Sequence, residues 1–181
     1  MAVVIALTGF MGSGKSAVGR QAAAKLGWRF VDLDERVTAN SRQAVADIFA
    51  AEGEEGFRSR ELRELKAVLQ EAEAGGDVIV SLGGGTLTQE AAVRALKDEG
   101  RSIRAYVVYL DTPVDVCWDR VGRDRSRPLA ESRASFDELA ERREGTYRAV
   151  SDFVIEAEAR TVDQLAEEVA AMGAALAEHA Q

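Results

Sequence analysis

The chain has 181 residues, enough to bury one substantial core and too few for two comfortable domains, so a single domain spanning 1–181 is expected. With 46% hydrophobic and 30% charged residues the composition is that of a globular protein, and no apolar run approaches the ~20 residues that span a bilayer. A net charge of −8 argues against nucleic acid or an anionic membrane as partner, although five arginines between positions 120 and 133 are a local exception.

Met1 leads directly into the apolar run Val3–Leu7, without the basic stretch and cleavage site of a secretory leader, so a cytoplasmic location is expected. That run predicts a strand. It is followed by Gly9-Phe10-Met11-Gly12-Ser13-Gly14-Lys15-Ser16, which fits the phosphate-cradling pattern Gly-x4-Gly-Lys-Ser. Val18, Ala22 and Leu26 then recur at helical spacing, which completes the strand, loop and helix context that the pattern requires. Glycines at 9, 12 and 14 permit positive φ and let backbone N–H groups converge on phosphate oxygens at the positive end of the following helix. The candidate nucleotide site therefore runs through Gly12, Ser13, Gly14, Lys15, Ser16 and Ala17, with Lys15 reaching the outer phosphates and the Ser16 hydroxyl available to magnesium. Only four of the 23 cationic side chains are lysines, so a lysine here suits a compact point charge.

Trp28–Val31 predict a second strand, ending in Asp32-Leu33-Asp34. Two carboxylates with one residue between them, at the carboxyl end of a strand, can divide the work: one holds magnesium through its waters and the other faces an acceptor hydroxyl. Helix capping by Asp34 is the competing reading. Helical spacing resumes from Ala44, Gly53 and Gly56 interrupt it, and a long amphipathic helix follows through Glu71. Arg58 stands at that junction among carboxylates, and composition alone reads it as a surface ion pair. Asp77–Leu82 predict a buried strand that runs into Gly83, Gly84 and Gly85, where bare N–H groups can meet a polar ligand. A helix over Gln89–Lys97, a strand over Ala105–Leu110 and a helix from Pro113 to about Val121 come next, with Cys117 as a buried filler between Val116 and Trp118. The segment from Gly122 to Leu129 is polar, cationic and rich in breakers, which suits either a lid over phosphates or a solvated loop. A helix over Phe136–Val150, a short strand over Phe153–Ile155 and a helix from Val162 to about Glu178 complete the chain. The alternation predicts an α/β fold, a three-layer sandwich with a five-stranded parallel sheet flanked by helices, and its ligands gather beyond the carboxyl ends of the strands.

Taken together, the ordered set Gly9–Ser16, Val31-Asp32-Leu33-Asp34, Ile48-Phe49-x3-Gly53-Glu54, Phe57-Arg58-x2-Glu61, Leu82-Gly83-Gly84-Gly85, Arg127-Pro128-Leu129 and Arg143-x3-Tyr147 resembles the shikimate kinase family over nearly the whole chain. The resemblance implies a P-loop kinase that transfers the γ-phosphoryl group of ATP to the 3-hydroxyl of shikimate, with Mg²⁺ as cofactor, in aromatic amino-acid biosynthesis. It also implies roles for individual residues. Arg58 and Arg143 hold the substrate carboxylate, Asp34 hydrogen-bonds the ring hydroxyls, and Gly84, flanked by Gly83 and Gly85, supplies backbone contact. Lys15 and Arg127 touch the phosphates, Ser16 ligates magnesium, Asp32 steadies its water shell, and Arg120 and Arg160 flank adenine. Lys15, Asp34 and Arg127 are the catalytic candidates. The implied organisation has a lid at about 122–134 and a substrate-binding helical segment at about 34–62, in a monomer. Three features depart from the family pattern: Glu144-Gly145-Thr146 stands where a proline is common before Tyr147, Ala130 follows Arg127-Pro128-Leu129 where a second leucine is common, and Arg142 beside Arg143 leaves the register of the carboxylate-binding arginine open. The rival readings are a P-loop kinase for another small hydroxy acid of gluconate type, and a nucleotide-binding regulatory protein without turnover.

Overall fold

Val and Ile favour extended backbone, and with Leu they form unbroken apolar runs when both faces of a strand are covered. The computed structural model, which describes residues 1–121 and 132–180, arranges five such runs in one parallel sheet of order β2-β3-β1-β4-β5. The strands are β1 (Ala2–Thr8), β2 (Arg29–Asp32), β3 (Val78–Ser81), β4 (Ile103–Asp111) and β5 (Phe153–Glu156). Helices α1 (Lys15–Leu26), α2 (Leu33–Ser41), α3 (Val45–Gly75), α4 (Glu90–Leu96), α5 (Val114–Val121), α6 (Arg133–Val150) and α7 (Val162–His179) connect and cover them. Ser81 pairs in register with both Leu7 and Asp32, and Thr8 pairs with Tyr109. The carboxyl ends of the central strands therefore open onto one edge, where the phosphate loop, the two aspartates and the three glycines all leave the sheet.

Alternation along β1 divides the core in two. Val4 and Ala6 join Leu65, Val68 and Leu69 of α3 with Phe136 and Tyr147 of α6. Val3, Ile5 and Leu7 face the other way, onto Val18 and Ala22 of α1 and Leu165 and Val169 of α7. Cys117 is buried in the first of these clusters, as its neighbours predict.

The observed elements depart from the expected bounds in a few places. Of the two glycines expected to interrupt the helix after Ala44, only Gly53 does so (φ 69°, ψ −174°); Gly56 continues the second arm, which runs to Gly75 rather than Glu71. α6 begins at Arg133, ahead of the expected Phe136, because Ser132 and Ser135 form a reciprocal cap. A 3₁₀ turn at Thr86–Thr88 after the three glycines was not anticipated from periodicity, since three residues are too few to show one.

Helix α2 is fastened along the second arm of α3 by charge. Arg36 donates to Glu64 at 3.0 Å and forms a bidentate pair with Glu71, Asn40 donates to Glu64 at 2.7 Å, and Arg29 reaches Glu71 at 2.7 Å. The hydrogen bond from Arg36 is the main reason that the Glu71 carboxyl is held down at about 2, from an ordinary 4.5. A carboxyl depressed in the folded state stabilises the fold above its unfolded pKa and loses that contribution as pH falls through the folded value. The Glu71 side chain is 40% exposed, so screening keeps the effect small. Urea midpoints should decline as pH falls from 4.5 towards about 2, and the decline should be shallower in Glu71→Gln, in which the titrating group is gone.

Candidate active site

The phosphate loop turns between β1 and α1 with Gly12 at φ 82°, and a side chain there would stand 2.6 Å from the Cys117 carbonyl oxygen of α5. Close contact between loop and α5 is reinforced by Thr112, whose hydroxyl donates to the Ser13 carbonyl at 3.2 Å, and by Arg120, whose Nη1 donates to the Gly12 carbonyl at 3.0 Å. Lys15 is buried and donates to the carbonyls of Gly9 (2.9 Å) and Phe10 (3.0 Å), which places its ammonium across the mouth of the loop. Ser16 donates to Asp32 Oδ2 at 2.5 Å and lies 3.3 Å from the Ser81 hydroxyl.

Of the two aspartates, Asp32 is the helix cap. Its Oδ1 accepts from the backbone N–H of Asp34 (3.0 Å) and Glu35 (3.2 Å), which corrects the assignment of capping to Asp34. The cap fixes the first turn of α2, and Asp34 within that turn is aimed at the crevice.

Two cavities meet there. One is lined by Gly12, Gly14, Lys15, Ser16, Ala17, Asp32, Ser81, Leu82 and Arg120, and the other by Met11, Val45, Phe49, Phe57, Arg58, Gly83, Gly85 and Arg143. Asp34 and Gly84 line both, so they form the wall between a phosphate cradle and a largely apolar pocket that carries two arginines.

The cations of the second pocket are held differently. Arg58 donates Nη1 to Glu61 at 2.7 Å and Nη2 to Glu54 at 3.1 Å, so it is more than a surface ion pair: Glu61 is fully buried, and Arg58 side-chain exposure is 12%. Burial works against the Arg58 charge, but the two glutamates outweigh it and raise its pKa. Arg143 is also buried, yet among the described residues no carboxylate lies within ion-pair distance of it. Burial holds its guanidinium below the ordinary arginine value, and the nearby Arg58 charge acts in the same sense. Arg142 points outward, 4.0 Å from Glu138 with 65% of its side chain exposed, so the register favours Arg143 in the pocket.

The triple glycine is explained by close approach as well as by bare amides. A side chain on Gly83 would stand 2.1 Å from Glu61 Oε1, and one on Gly85 2.1 Å from Arg58 Nη2. Among the described residues the amides of Gly83, Gly84 and Gly85 donate to no backbone or side-chain acceptor, so they are available to a ligand.

Not every expected residue is brought in. Ser13 packs beneath the loop, and Arg160 is tied to Glu168 at 2.5 Å and to the carbonyls of Glu156 and Gln164, away from the lining of either cavity. Arg127 and most of the expected lid lie outside the described residues. Sequence reasoning missed Ser81, Met11, Val45, Phe49 and Phe57 as lining residues. The apolar four carry no signal separating a pocket wall from core, whereas Ser81, a polar residue at the end of an apolar strand, did carry one.

A P-loop joined through a shared wall to a small cationic pocket defines a kinase for a small anionic acceptor. A profile of the family described as shikimate kinase matches residues 11–173. Shikimate kinases of Persephonella marina and Bordetella avium are 37% and 39% identical over 91% and 89% of this chain, covering 95% and 74% of theirs. A solved shikimate kinase from Acinetobacter baumannii, in complex with shikimate, superposes with a TM-score of 0.81 at 33% identity over 97% of this chain and 93% of that one. The chain belongs to the shikimate kinase family, and it is therefore an ATP-dependent kinase.

Close approach at the third glycine sets up a direct test. Gly85→Ala should force Arg58 from its place and cost about 1–3 kcal/mol of stability, the range for an overpacked site. The shift in urea midpoint measures it, and a midpoint equal to that of the parent chain would mean that the guanidinium moves aside freely.

Proposed function

We propose that the two cavities are the donor and acceptor halves of one site, in which the chain transfers the γ-phosphoryl group of ATP to the 3-hydroxyl of shikimate. The shared wall carries this reading: Asp34 and Gly84 border both halves, so a hydroxyl held beside them lies next to the end of a nucleotide in the phosphate loop. Phosphoryl transfer asks for alignment and charge neutralisation more than for a strong base. Lys15 supplies a cation at the outer phosphates, and Gly12, Gly14, Ser16 and Ala17 supply backbone N–H groups at the start of α1. Arg58 and Arg143 grip the acceptor carboxylate, where planar guanidinium groups match its two oxygens. Asp34 orients the acceptor hydroxyl, and the free amides of Gly83–Gly85 complete the pocket. Arg120, whose Nη1 donates to the Gly12 carbonyl of the loop, is assigned to the adenine, and Arg127 to the phosphates, on resemblance alone.

Magnesium fits the residues present. The Ser16 hydroxyl and the Asp32 carboxylate are hard oxygen donors in contact at the loop, the chemistry that this ion takes together with waters and phosphate oxygens. Bound there, it neutralises charge on the transferred group. We extend the proposal to a single domain over 1–181, in which about 34–62 spans α2 and α3 to just beyond its bend and about 122–134 forms a lid. A cytoplasmic monomer is included. Among the described residues no helix is long and apolar enough to cross a membrane.

A coupled ADP-release assay with ATP, Mg²⁺ and a panel of shikimate, quinate, gluconate and nucleoside monophosphates tests the whole reading. Turnover with shikimate alone is expected. Turnover only with another acceptor would discard the pocket assignment, and silence across the panel would leave a nucleotide-binding protein without turnover. In the same assay Lys15→Ala should abolish turnover.

The two arginines separate binding from stability. Arg143→Ala should weaken shikimate roughly tenfold or more with little loss of stability, because no ion-paired carboxylate is left behind. Arg58→Ala should weaken shikimate similarly and destabilise the fold as well, since it strands the buried Glu61 carboxylate. Calorimetric titration and thermal melting of both variants decide this, and unchanged shikimate affinity in either would remove that arginine from the pocket.

A further inference from the structure

Helix α6 brings a second side chain to the three glycines. Tyr147 follows Arg143 by one helical turn, is buried, and its hydroxyl donates to the carbonyl oxygen of Gly84. Its ring packs against that of Tyr109 of β4, with centroids 5.3 Å apart, a contact that does not involve the Tyr109 hydroxyl, which donates separately to Asp111 Oδ1 at 3.1 Å. A side chain placed on Gly84 would stand 3.4 Å from Arg143 Nη1 and 3.7 Å from the Tyr147 hydroxyl, so the carbonyl, guanidinium and phenol converge on one glycine.

The carbonyl of Gly84 and the N–H of Gly85 belong to one planar trans peptide and point in opposite senses. Fixing the oxygen therefore fixes the direction of the N–H, which donates to no acceptor among the described residues and borders the acceptor pocket. The carbonyls of Gly83 and Gly85 on either side accept from Thr86 and Thr88, whereas the Gly84 carbonyl between them accepts, among the described residues, from Tyr147. The same hydrogen bond sets how far α6, and with it Arg143, stands from the glycines. Glu144, Gly145 and Thr146 lie within the same continuous helix, so the distance set at Tyr147 is carried to Arg143 one turn away.

We propose that Tyr147 is a positioning residue for the acceptor: by holding the Gly84 carbonyl it sets both the Gly84–Gly85 peptide plane and the reach of Arg143, without itself touching substrate. The inference rests on the proposed assignment of the acceptor pocket. It assigns to the acceptor side alone a side chain that packs in the core and lines neither half of the site.

The test is Tyr147→Phe, which keeps the ring and removes only the hydroxyl, with Tyr109→Phe as a matched loss of a neighbouring buried hydroxyl. Calorimetric titration with shikimate and steady-state kinetics are run on the parent chain and both variants. Tyr147→Phe should raise the shikimate Kd and KM by about three- to tenfold, the range for one neutral hydrogen bond, while the KM for ATP stays at the parent value and Tyr109→Phe leaves both unchanged. A lowered melting temperature with unmoved shikimate Kd would make Tyr147 purely structural and overturn the proposal. Equal weakening in both variants, or parallel loss of ATP and shikimate affinity, would overturn it as general loosening. A parent chain that turns over another acceptor and does not bind shikimate would instead sink the pocket assignment, and this inference with it.

Discussion

Everything at the catalytic edge depends on backbone lying closer to its neighbours than a side chain would permit. The phosphate loop can face its N–H groups inward because Gly12 sits against the backbone of α5, and the acceptor pocket can present bare amides because Gly83 and Gly85 lie against Glu61 and Arg58. Each contact would be broken by a single β-carbon. The glycines therefore do two things at once: they expose polar backbone to ligands, and they let charged side chains be buried beside it. A buried carboxylate such as Glu61 is tolerated because Arg58, Thr86 and Gln89 all donate to it within the same small volume.

That arrangement makes the acceptor pocket electrostatically asymmetric. Arg58 is neutralised by Glu61 and Glu54 and is held rigid, whereas Arg143 is buried against its own solvation without an ion-paired carboxylate among the described residues. The positive charge left without an ion-paired carboxylate among the described residues is that of Arg143, so an anionic group beside it relieves a cost already present in the folded chain. The apolar faces of Phe49 and Phe57, with ring centroids 5.0 Å apart, complete a surface suited to a small carbon ring bearing one carboxylate.

Placement of Asp34 links this chemistry to the fold. It rides in the first turn of α2, whose start is fixed by the Asp32 cap and whose outer face is fastened to α3 by Arg36 and Asn40. The wall bearing Val45 and Phe49, by contrast, belongs to the short arm of α3 beyond the bend at Gly53. One side of this pocket is thus anchored through an ion network to the long helix, and the opposite side, beyond the turn at Gly53, is held by packing of Val45, Ile48 and Phe49 on Val37 and Phe57 and by the Arg60–Glu52 pair.

The parallel sheet, the phosphate loop and most of the site were legible in the sequence, because each is written in local chemistry: apolar runs covered on both faces, glycines where backbone must be exposed, and Lys-Ser at a helix start. Arg58, Asp34, Gly83–Gly85 and Arg143 were legible as an ordered set of motifs rather than from their own surroundings. What separates Asp32 from Asp34 is which of them caps α2 and which rides in its first turn, and what separates Arg143 from Arg142 is the direction in which each leaves its helix; neighbouring residues of one type carry no record of either. The partner of Tyr147, the Gly84 carbonyl, lies 63 residues away, so only the packed chain decides it; Arg58 pairs with Glu54 and Glu61 on its own helix, and packing decides only that the Arg58–Glu61 pair is buried. Met11, Val45, Phe49 and Phe57 look like core in any periodicity, and it takes the closing of α3 over the sheet edge to leave them facing a cavity. Local backbone demands and helical charge pairs are thus set by residue type and spacing along the chain, whereas the burial of those charges and the walls of a pocket arise from three-dimensional proximity and are decided only in the tertiary structure.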